Sequence, residues 1–195
     1  MNGLGQRAGK STRGESSWKA ALVRARHLAV IGLLCTPAVG ANVTGGSAMR
    51  QLELHSLNTR EMAIVTLTDA GPTSDSVARL RHLLRDYRIN EEHDIDNGLL
   101  LQLSDLARAA GCAPVYEVIS GYRAPRTNAA LRAAGHAVAE HSLHMEGRAI
   151  DVRLRGYPLA GLRDLALAAK RGGVGYYPRS NFVHLDTGRV RTWQE

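Results

Sequence analysis

The sequence predicts an α+β fold: one small domain with a central antiparallel sheet flanked by helices, preceded by a signal peptide. Alternating, strand-like segments occur near the beginning, in the middle and at the end of the chain, and amphipathic helical segments separate them without a regular βαβ rhythm. Hydrophobic residues make up 44% of the chain and charged residues 22%, which is typical of a folded soluble protein. A length of 195 residues suits one globular domain with an appendage.

A β-hairpin is the first predicted element of this domain. Residues 50–69 alternate apolar and polar side chains on either side of a polar turn at 58–61. A helix is predicted over 76–88, and a second helix is predicted to begin at the capping residue Asp96. The inward face of the first helix is expected to carry Val77, Leu80, Leu84 and Tyr87. The inward face of the second is expected to carry Leu99, Leu100, Leu103, Leu106 and Ala110.

The second half of the domain is predicted to contain four more strands and a helix. Strands are expected at 115–119, 149–154, 174–178 and 182–186. A helix over 158–171 should end at the Gly172-Gly173 pair, which begins the segment GGVG and is interpreted as a helix stop with a tight turn. The inward positions of this helix are expected to be Leu159, Leu162, Leu165 and Ala169.

Residues 1–41 are predicted to be an export leader. A basic stretch (19–27) precedes an apolar run (28–41) that is too short to span a bilayer and that ends in small residues. The alternative is an uncleaved amphipathic anchor. No second apolar run follows, so the mature protein is expected to have no membrane span and to lie in the periplasm.

The charge and cysteine content limit the possible classes of function. The net charge is +7, but six of the 25 Lys and Arg residues lie in residues 1–41 beside a single acid. No basic stripe with interleaved aromatic residues remains in the rest of the chain, which argues against nucleic-acid binding. Cleavage of the leader would remove Cys35 and leave Cys112 alone, so no intramolecular disulfide is expected.

The segment HSLHMEGRAID, residues 141–151, is the first candidate for a metal site. His144 lies in a predicted loop and Asp151 on the following strand, and Gly147 would allow the turn that brings them together. Zinc accepts imidazole and carboxylate ligands, and catalytic zinc sites use three protein ligands. His184 could be the third, because an idle imidazole is costly in its apolar strand. Taken alone, each of these residues is more often structural. His141 and His144 could also form a metal pair on a helix, but the nearby Gly147 favours a loop, in which His141 would contact the substrate or support a ligand.

Three segments resemble a known family. ISGYRAPRTNAALR, HSLHMEGRAIDVRL and GGVGYYPRSNFVHLDTGRVRTW are similar to the YcbK-type murein endopeptidases (murein endopeptidase K). This family lies within the zinc metallopeptidase group of D-Ala-D-Ala carboxypeptidases, VanX-type dipeptidases and Hedgehog-like domains. The resemblance runs from about residue 50 to 193. It implies that residues 42–195 form a zinc metallopeptidase domain, built as a small α+β fold around an antiparallel sheet.

The resemblance also implies the site residues. The metal ligands would be His144, Asp151 and His184, the cofactor would be Zn2+, and Arg123 would take the substrate-side arginine position. An arginine there can pair with a peptide carboxylate and stabilise the charge that develops on a tetrahedral intermediate.

One departure concerns the general base. Many members of the wider group carry Glu three positions, or His two positions, before the last histidine, where this chain has Asn181 and Phe182. Asp186 projects to the same side of its strand as His184. It could accept a proton from the attacking water, or it could hold the second nitrogen of His184. The further candidates are Glu146 and His141.

The function expected from the resemblance is that of an exported, zinc-dependent murein endopeptidase. Its partner would be peptidoglycan, whose peptide cross-links it would hydrolyse in cell-wall growth or remodelling, including bonds between two diaminopimelate residues. One alternative is a D-Ala-D-Ala carboxypeptidase or dipeptidase on the same scaffold. Another is a non-catalytic peptidoglycan-binding module with a structural metal. The sequence makes no prediction of the oligomeric state.

Overall fold

The computed structural model describes residues 49–136 and 138–195, and the predicted leader (1–41) lies outside them. The described residues form one sheet of eight strands, four α-helices and a short 3₁₀ helix over Leu143–Glu146. The strands are β1 (Arg50–Ser56), β2 (Met62–Thr68), β3 (Gly71–Pro72), β4 (Val115–Ser120), β5 (Ala149–Leu154), β6 (Gly173–Tyr177), β7 (Phe182–Asp186) and β8 (Arg191–Gln194). The helices are α1 (Ser74–Leu83), α2 (Asn97–Ala109), α3 (Pro125–Ala133) and α4 (Leu159–Ala169).

The sheet is mixed, so the prediction of an antiparallel sheet was wrong for two of its strand pairs. The strand order is β3-β2-β1-β4-β5-β7-β6-β8, and the pairs β1–β4 and β6–β8 are parallel. A parallel neighbour needs a crossover connection. Between β1 and β4 the chain passes through β2, β3, α1 and α2. Between β7 and β8 the crossover is only residues 187–190, which pass the end of β6 where Gly172 and Gly173 carry no side chain.

The two faces of the sheet differ in character. On β5 and β7 the buried apolar residues Ile150, Val152, Val183 and Leu185 alternate with polar ones. Because side chains alternate across a strand, these apolar residues share one face. Helices α2 and α4 both contact β5 and cover that face with buried side chains. The opposite face is therefore free to carry the polar residues of the site.

Two helices end earlier than predicted. Helix α1 ends at Leu83, five residues early, because Asp86 turns inward and its carboxylate accepts hydrogen bonds from the backbone N–H groups of Arg88 and Ala124. Tyr87 is consequently exposed. Helix α4 ends at Ala169 and not at the Gly172-Gly173 pair, because Lys170 takes the left-handed conformation (φ 52°) that ends it. Ala169 is exposed, and Ala166 occupies the inward position that was predicted for Ala169.

The other predicted elements are confirmed. Strands β1 and β2 form the hairpin, and the Asp96 side chain caps α2 by accepting a hydrogen bond from the backbone N–H of Leu99. Cys112 is a free, half-buried thiol that packs against the core. No helix formed by residues 49–136 and 138–195 is both long enough and apolar enough to cross a membrane.

Candidate metal centre

Three side chains predicted as metal ligands converge on one point. Each of His144, Asp151 and His184 offers a ligand atom, and these atoms all lie within 4.8 Å of one another. His184 Nδ1 lies 2.9 Å from Asp151 Oδ1 and 3.2 Å from His144 Nε2, and His144 Nε2 lies 3.4 Å from Asp151 Oδ2. Ligands at zinc distances of about 2.0–2.1 Å on a tetrahedron are separated by roughly 3.3 Å. The donor set and its spacing therefore fit a zinc ion.

The backbone explains why these residues meet. Asp151 and His184 are direct partners in the antiparallel pairing of β5 with β7, so their side chains leave the same face of the sheet side by side. His144 comes from the 3₁₀ helix, which Gly147 ends in the left-handed conformation at φ 64°. A Cβ at Gly147 would collide with the carbonyl oxygen of Asp94. Glycine therefore allows both the turn and the close approach.

Each of the two histidines is oriented by a hydrogen bond at the ring nitrogen that does not face the centre. His144 Nδ1 lies 2.8 Å from the carbonyl oxygen of Gly121, so this nitrogen donates and leaves Nε2 free as a ligand. His184 is turned the other way: its Nε2 lies 3.1 Å from Asp186 Oδ2, and its Nδ1 faces the centre. The two imidazoles thus present different nitrogens to the centre, Nε2 of His144 and Nδ1 of His184.

Asp186 is buried beneath the centre, and both of its carboxylate oxygens accept hydrogen bonds. Its Oδ1 accepts from the backbone N–H groups of Gly173 (2.8 Å) and Gly188 (2.9 Å), and Oδ2 accepts from Arg191 Nη2 (2.6 Å) as well as from His184. Burial alone would raise the pKa of Asp186, but the hydrogen bonds from His184, Arg191 and the two backbone groups hold that pKa well below its usual range.

The centre is electrostatically suited to a cation. Burial lowers the pKa of His184, yet the hydrogen bonds to Asp151 and Asp186 outweigh burial and raise it to about 9. Burial likewise raises the pKa of Asp151, but the neighbouring His144 and His184 bring it well below its usual value. Two ionised carboxylates thus share one imidazole, and a divalent cation would compensate their charge in place of a proton.

Arg123 is a buried cation beside this centre. It follows β4 and is 9% exposed, and its backbone N–H donates to the carbonyl oxygen of His144. Its guanidinium makes only long contacts, to Asn128 Oδ1 at 3.4 Å and Ser120 Oγ at 3.5 Å, and its Nε has no partner. Burial lowers the pKa of Arg123, and the negative charge of Asp151, which raises this pKa, offsets only part of that effect. Such a cation is suited to receive an anionic group of a ligand.

A cavity of about 630 Å³ joins the centre to Arg123. Its wall includes the three ligand residues, Arg123, His141, Tyr177, Phe182 and Trp193. Glu146, a candidate base from the sequence, is exposed and pairs with Arg148 at 3.1 Å, and it does not line this cavity. His141 does line it.

Sequence reasoning missed several residues that build the site. Arg191 and Trp193 lie on β8, and the Trp193 ring centroid is 5.1 Å from that of His184. A Cβ at Gly175 would come within 2.6 Å of the Trp193 indole. The prediction that the GGVG segment stops a helix was wrong, because Lys170 caps that helix; instead, Gly173 holds Asp186 and Gly175 makes room for Trp193. The signal for this was the G-x-G spacing on a strand, which places both glycines on one face.

Comparison with known proteins adds an independent finding. A family model described as peptidoglycan L,D-endopeptidase MepK matches residues 44–193. The peptidoglycan L,D-endopeptidase MepK of Escherichia coli (strain K12) is 43% identical over 162 residues, which cover 83% of this chain and 88% of that protein. The probable peptidoglycan L,D-endopeptidase MepK of Haemophilus influenzae is 40% identical over 147 residues, covering 74% and 79%. No solved structure matches the chain.

Proposed function

Because the chain belongs to the peptidoglycan L,D-endopeptidase MepK family, we propose that it is an exported murein endopeptidase that hydrolyses peptide cross-links of peptidoglycan in the periplasm. The observation that carries the proposal is a cavity lined both by the three candidate ligands and by Arg123, a buried guanidinium that has no carboxylate partner among the described residues. The bonds that join two diaminopimelate residues are its expected targets.

His144, Asp151 and His184 would hold Zn2+, the ion whose preferred ligands and spacing they match. When bound, zinc supplies a Lewis acid that polarises a peptide carbonyl and activates water at neutral pH. Orientation of the ligands and positioning of the substrate come from the chain's own residues. Gly121 and Asp186 orient the two imidazoles, and the cavity wall positions the peptide.

Arg123 binds the substrate in this proposal. Its guanidinium has no carboxylate partner among the described residues, so a carboxylate of the cross-link can pair with it without displacing an existing ion pair. The same group stabilises negative charge that develops on the scissile carbonyl oxygen. Its backbone bond to His144 ties its position to that of the first ligand.

Asp186 orients His184 and does not serve as the general base. The sequence left these two roles open. A base must reach the attacking water with a free lone pair, whereas Asp186 is fully buried and its oxygens already accept from His184, Arg191 and two backbone N–H groups.

The test uses the purified protein with intact sacculi, with and without a chelator, and resolves the muropeptides by mass. Chelator-sensitive loss of cross-linked dimers, restored by added zinc, is expected. His184→Ala should abolish both zinc binding and cleavage, whereas His136→Ala, at an exposed position, should change neither. Release of free D-alanine without loss of dimers would instead indicate a carboxypeptidase. Intact dimers with zinc bound would indicate a binding module.

A further inference from the structure

We propose that the Tyr177 hydroxyl is a further catalytic group, which donates a hydrogen bond to the carbonyl oxygen of the peptide bond being cut. The proposal rests on the endopeptidase function proposed above. It concerns a side chain that belongs neither to the metal ligands nor to their hydrogen-bond partners.

Tyr177 stands on the same face of the sheet as the metal centre. It is the last residue of β6, and Gly175, two positions earlier on that strand, pairs directly with His184 of β7. Residues two apart on a strand share a face, so the Tyr177 ring leaves the sheet on the side of His184. The ring is half-buried and lines the cavity together with Arg123 and Asp151.

The hydrogen-bond pattern leaves the hydroxyl hydrogen of Tyr177 without an acceptor among the described residues. Trp193 Nε1 lies 2.7 Å from the Tyr177 oxygen. An indole N–H can only donate, so the phenol oxygen must be the acceptor. The hydrogen of the phenol then points away from Trp193, and it has no acceptor among the described residues. A donor without a protein acceptor therefore lines the cavity beside the metal centre.

The ring that carries this donor is held in place on two sides. Phe182 stacks on it at a centroid distance of 4.4 Å, and Trp193 lies against Gly175, where a side chain would displace the indole. Arg123 lines the same cavity as Tyr177. A cation and a neutral donor can therefore share the charge that forms on one carbonyl oxygen. Such preorganised donors stabilise a transition state more than its ground state.

The experiment compares Tyr177→Phe with Tyr176→Phe in the purified protein. Tyr176 is the matched control: it neighbours Tyr177 on β6, faces the other side of the sheet and packs under the Arg163 guanidinium, 4.5 Å from its ring centroid. Both changes remove one hydroxyl oxygen. For Tyr177→Phe, we expect kcat on a cross-linked muropeptide dimer to fall by about 100-fold, as for loss of one oxyanion donor, with KM almost unchanged.

Two further measurements separate this role from a structural one. Zinc content should equal that of the wild type in both variants, and Tyr177→Phe should stay folded with only the small fall in melting temperature expected when Trp193 Nε1 loses its acceptor. A phosphinate analogue of the cross-link should bind Tyr177→Phe more weakly by about the factor lost in kcat.

The proposal would be overturned if Tyr177→Phe kept the wild-type kcat, lost zinc, or lost no more activity than Tyr176→Phe. Failure of the underlying function is distinguishable, because the wild-type protein itself would then leave the dimer uncut.

Discussion

At the scale of single residues, the two histidines proposed as metal ligands are oriented by different kinds of partner. A backbone carbonyl holds His144, whereas a buried carboxylate holds His184. A carbonyl cannot be lost by side-chain substitution, but the carboxylate of Asp186 can. Within the described residues, the orientation of His184 is therefore the part of the centre most open to mutational test.

Asp186→Asn is expected to weaken zinc affinity by about 10- to 100-fold, the usual cost of losing an outer partner of a metal ligand. The asparagine amide would place an NH2 group, which can only donate, against N–H groups that now donate to the two Asp186 oxygens. Competition titration with a chromophoric chelator measures the effect, and Asp164→Asn, an exposed residue, is the control. Wild-type zinc affinity with complete loss of cleavage would contradict the orienting role and restore Asp186 as the base.

Motif and resemblance at this scale pointed to His144, Asp151 and His184, which the structure brings together, to Arg123 beside them and to the proximity of Asp186 to His184. They could not decide the role of Asp186. That depends on whether its oxygens are free, and Gly173 and Arg191 supply donors that only the folded sheet brings there.

At the scale of elements, local patterns did not predict two contributions. Strand β8 supplies side chains to the metal centre, and the hairpin carries an ion pair that affects stability. Strand β8 has four residues and only partial burial, which gives no clear alternation to read. Its parallel pairing with β6 depends on how the chain crosses between strands, and no local pattern encodes that. Yet this strand places Arg191 against Asp186 and Trp193 against His184.

Arg191→Met should weaken zinc binding, because Asp186 would lose a bidentate partner and hold His184 less firmly. Arg189→Met is the control, since Arg189 is exposed two positions earlier. Isothermal titration with zinc compares them, with circular dichroism to verify folding. We expect a loss of about tenfold for Arg191→Met. Equal affinities in folded proteins would show that the backbone N–H groups suffice to hold Asp186.

The turn of the hairpin predicts an acid-dependent contribution to stability. Hydrogen bonds from Arg85 and Thr59 lower the pKa of Glu61 from 4.5 to about 2. A carboxyl group whose pKa is lower in the folded state stabilises the fold at any pH above its unfolded-state pKa. This stabilisation is lost as the pH falls through the folded-state pKa. Glu61→Gln should therefore lower the free energy of unfolding at pH 7, and the difference should shrink between pH 4.5 and pH 2.

Urea denaturation across this pH range measures the effect of Glu61→Gln. The control is Glu140→Gln, because Glu140 pairs with Arg132 only on the exposed surface. A difference that stays constant with pH would argue against the Glu61–Arg85 pair as its source.

At the scale of the whole molecule, the sheet separates what stabilises the fold from what performs the chemistry. The apolar core lies between the sheet and helices α2 and α4, and the metal ligands occupy the opposite face. The alternation of apolar and polar residues along β5 and β7 produces this division. The mixed topology was not predictable, because strand direction follows from crossovers between distant segments.

Removal of zinc should therefore lower the melting temperature without unfolding the protein. A ligand that binds only the native state stabilises it by mass action, while the core remains packed in its absence. Calorimetry and near-ultraviolet circular dichroism, with and without chelator, would measure this. Loss of the near-ultraviolet signal at room temperature would show that the metal organises the core as well.

The pairing of Asp151 with His184 has a consequence for misfolded chains. Because side chains alternate, a slip of β7 by one residue along β5 would turn His184 towards the helices and put Val183 or Leu185 in its place. An enzyme that cuts the wall of its own cell is dangerous when poorly controlled. A register error in this protein would separate His184 from Asp151 and abolish the metal centre. Hydrolytic activity therefore requires the correct assembly of the sheet.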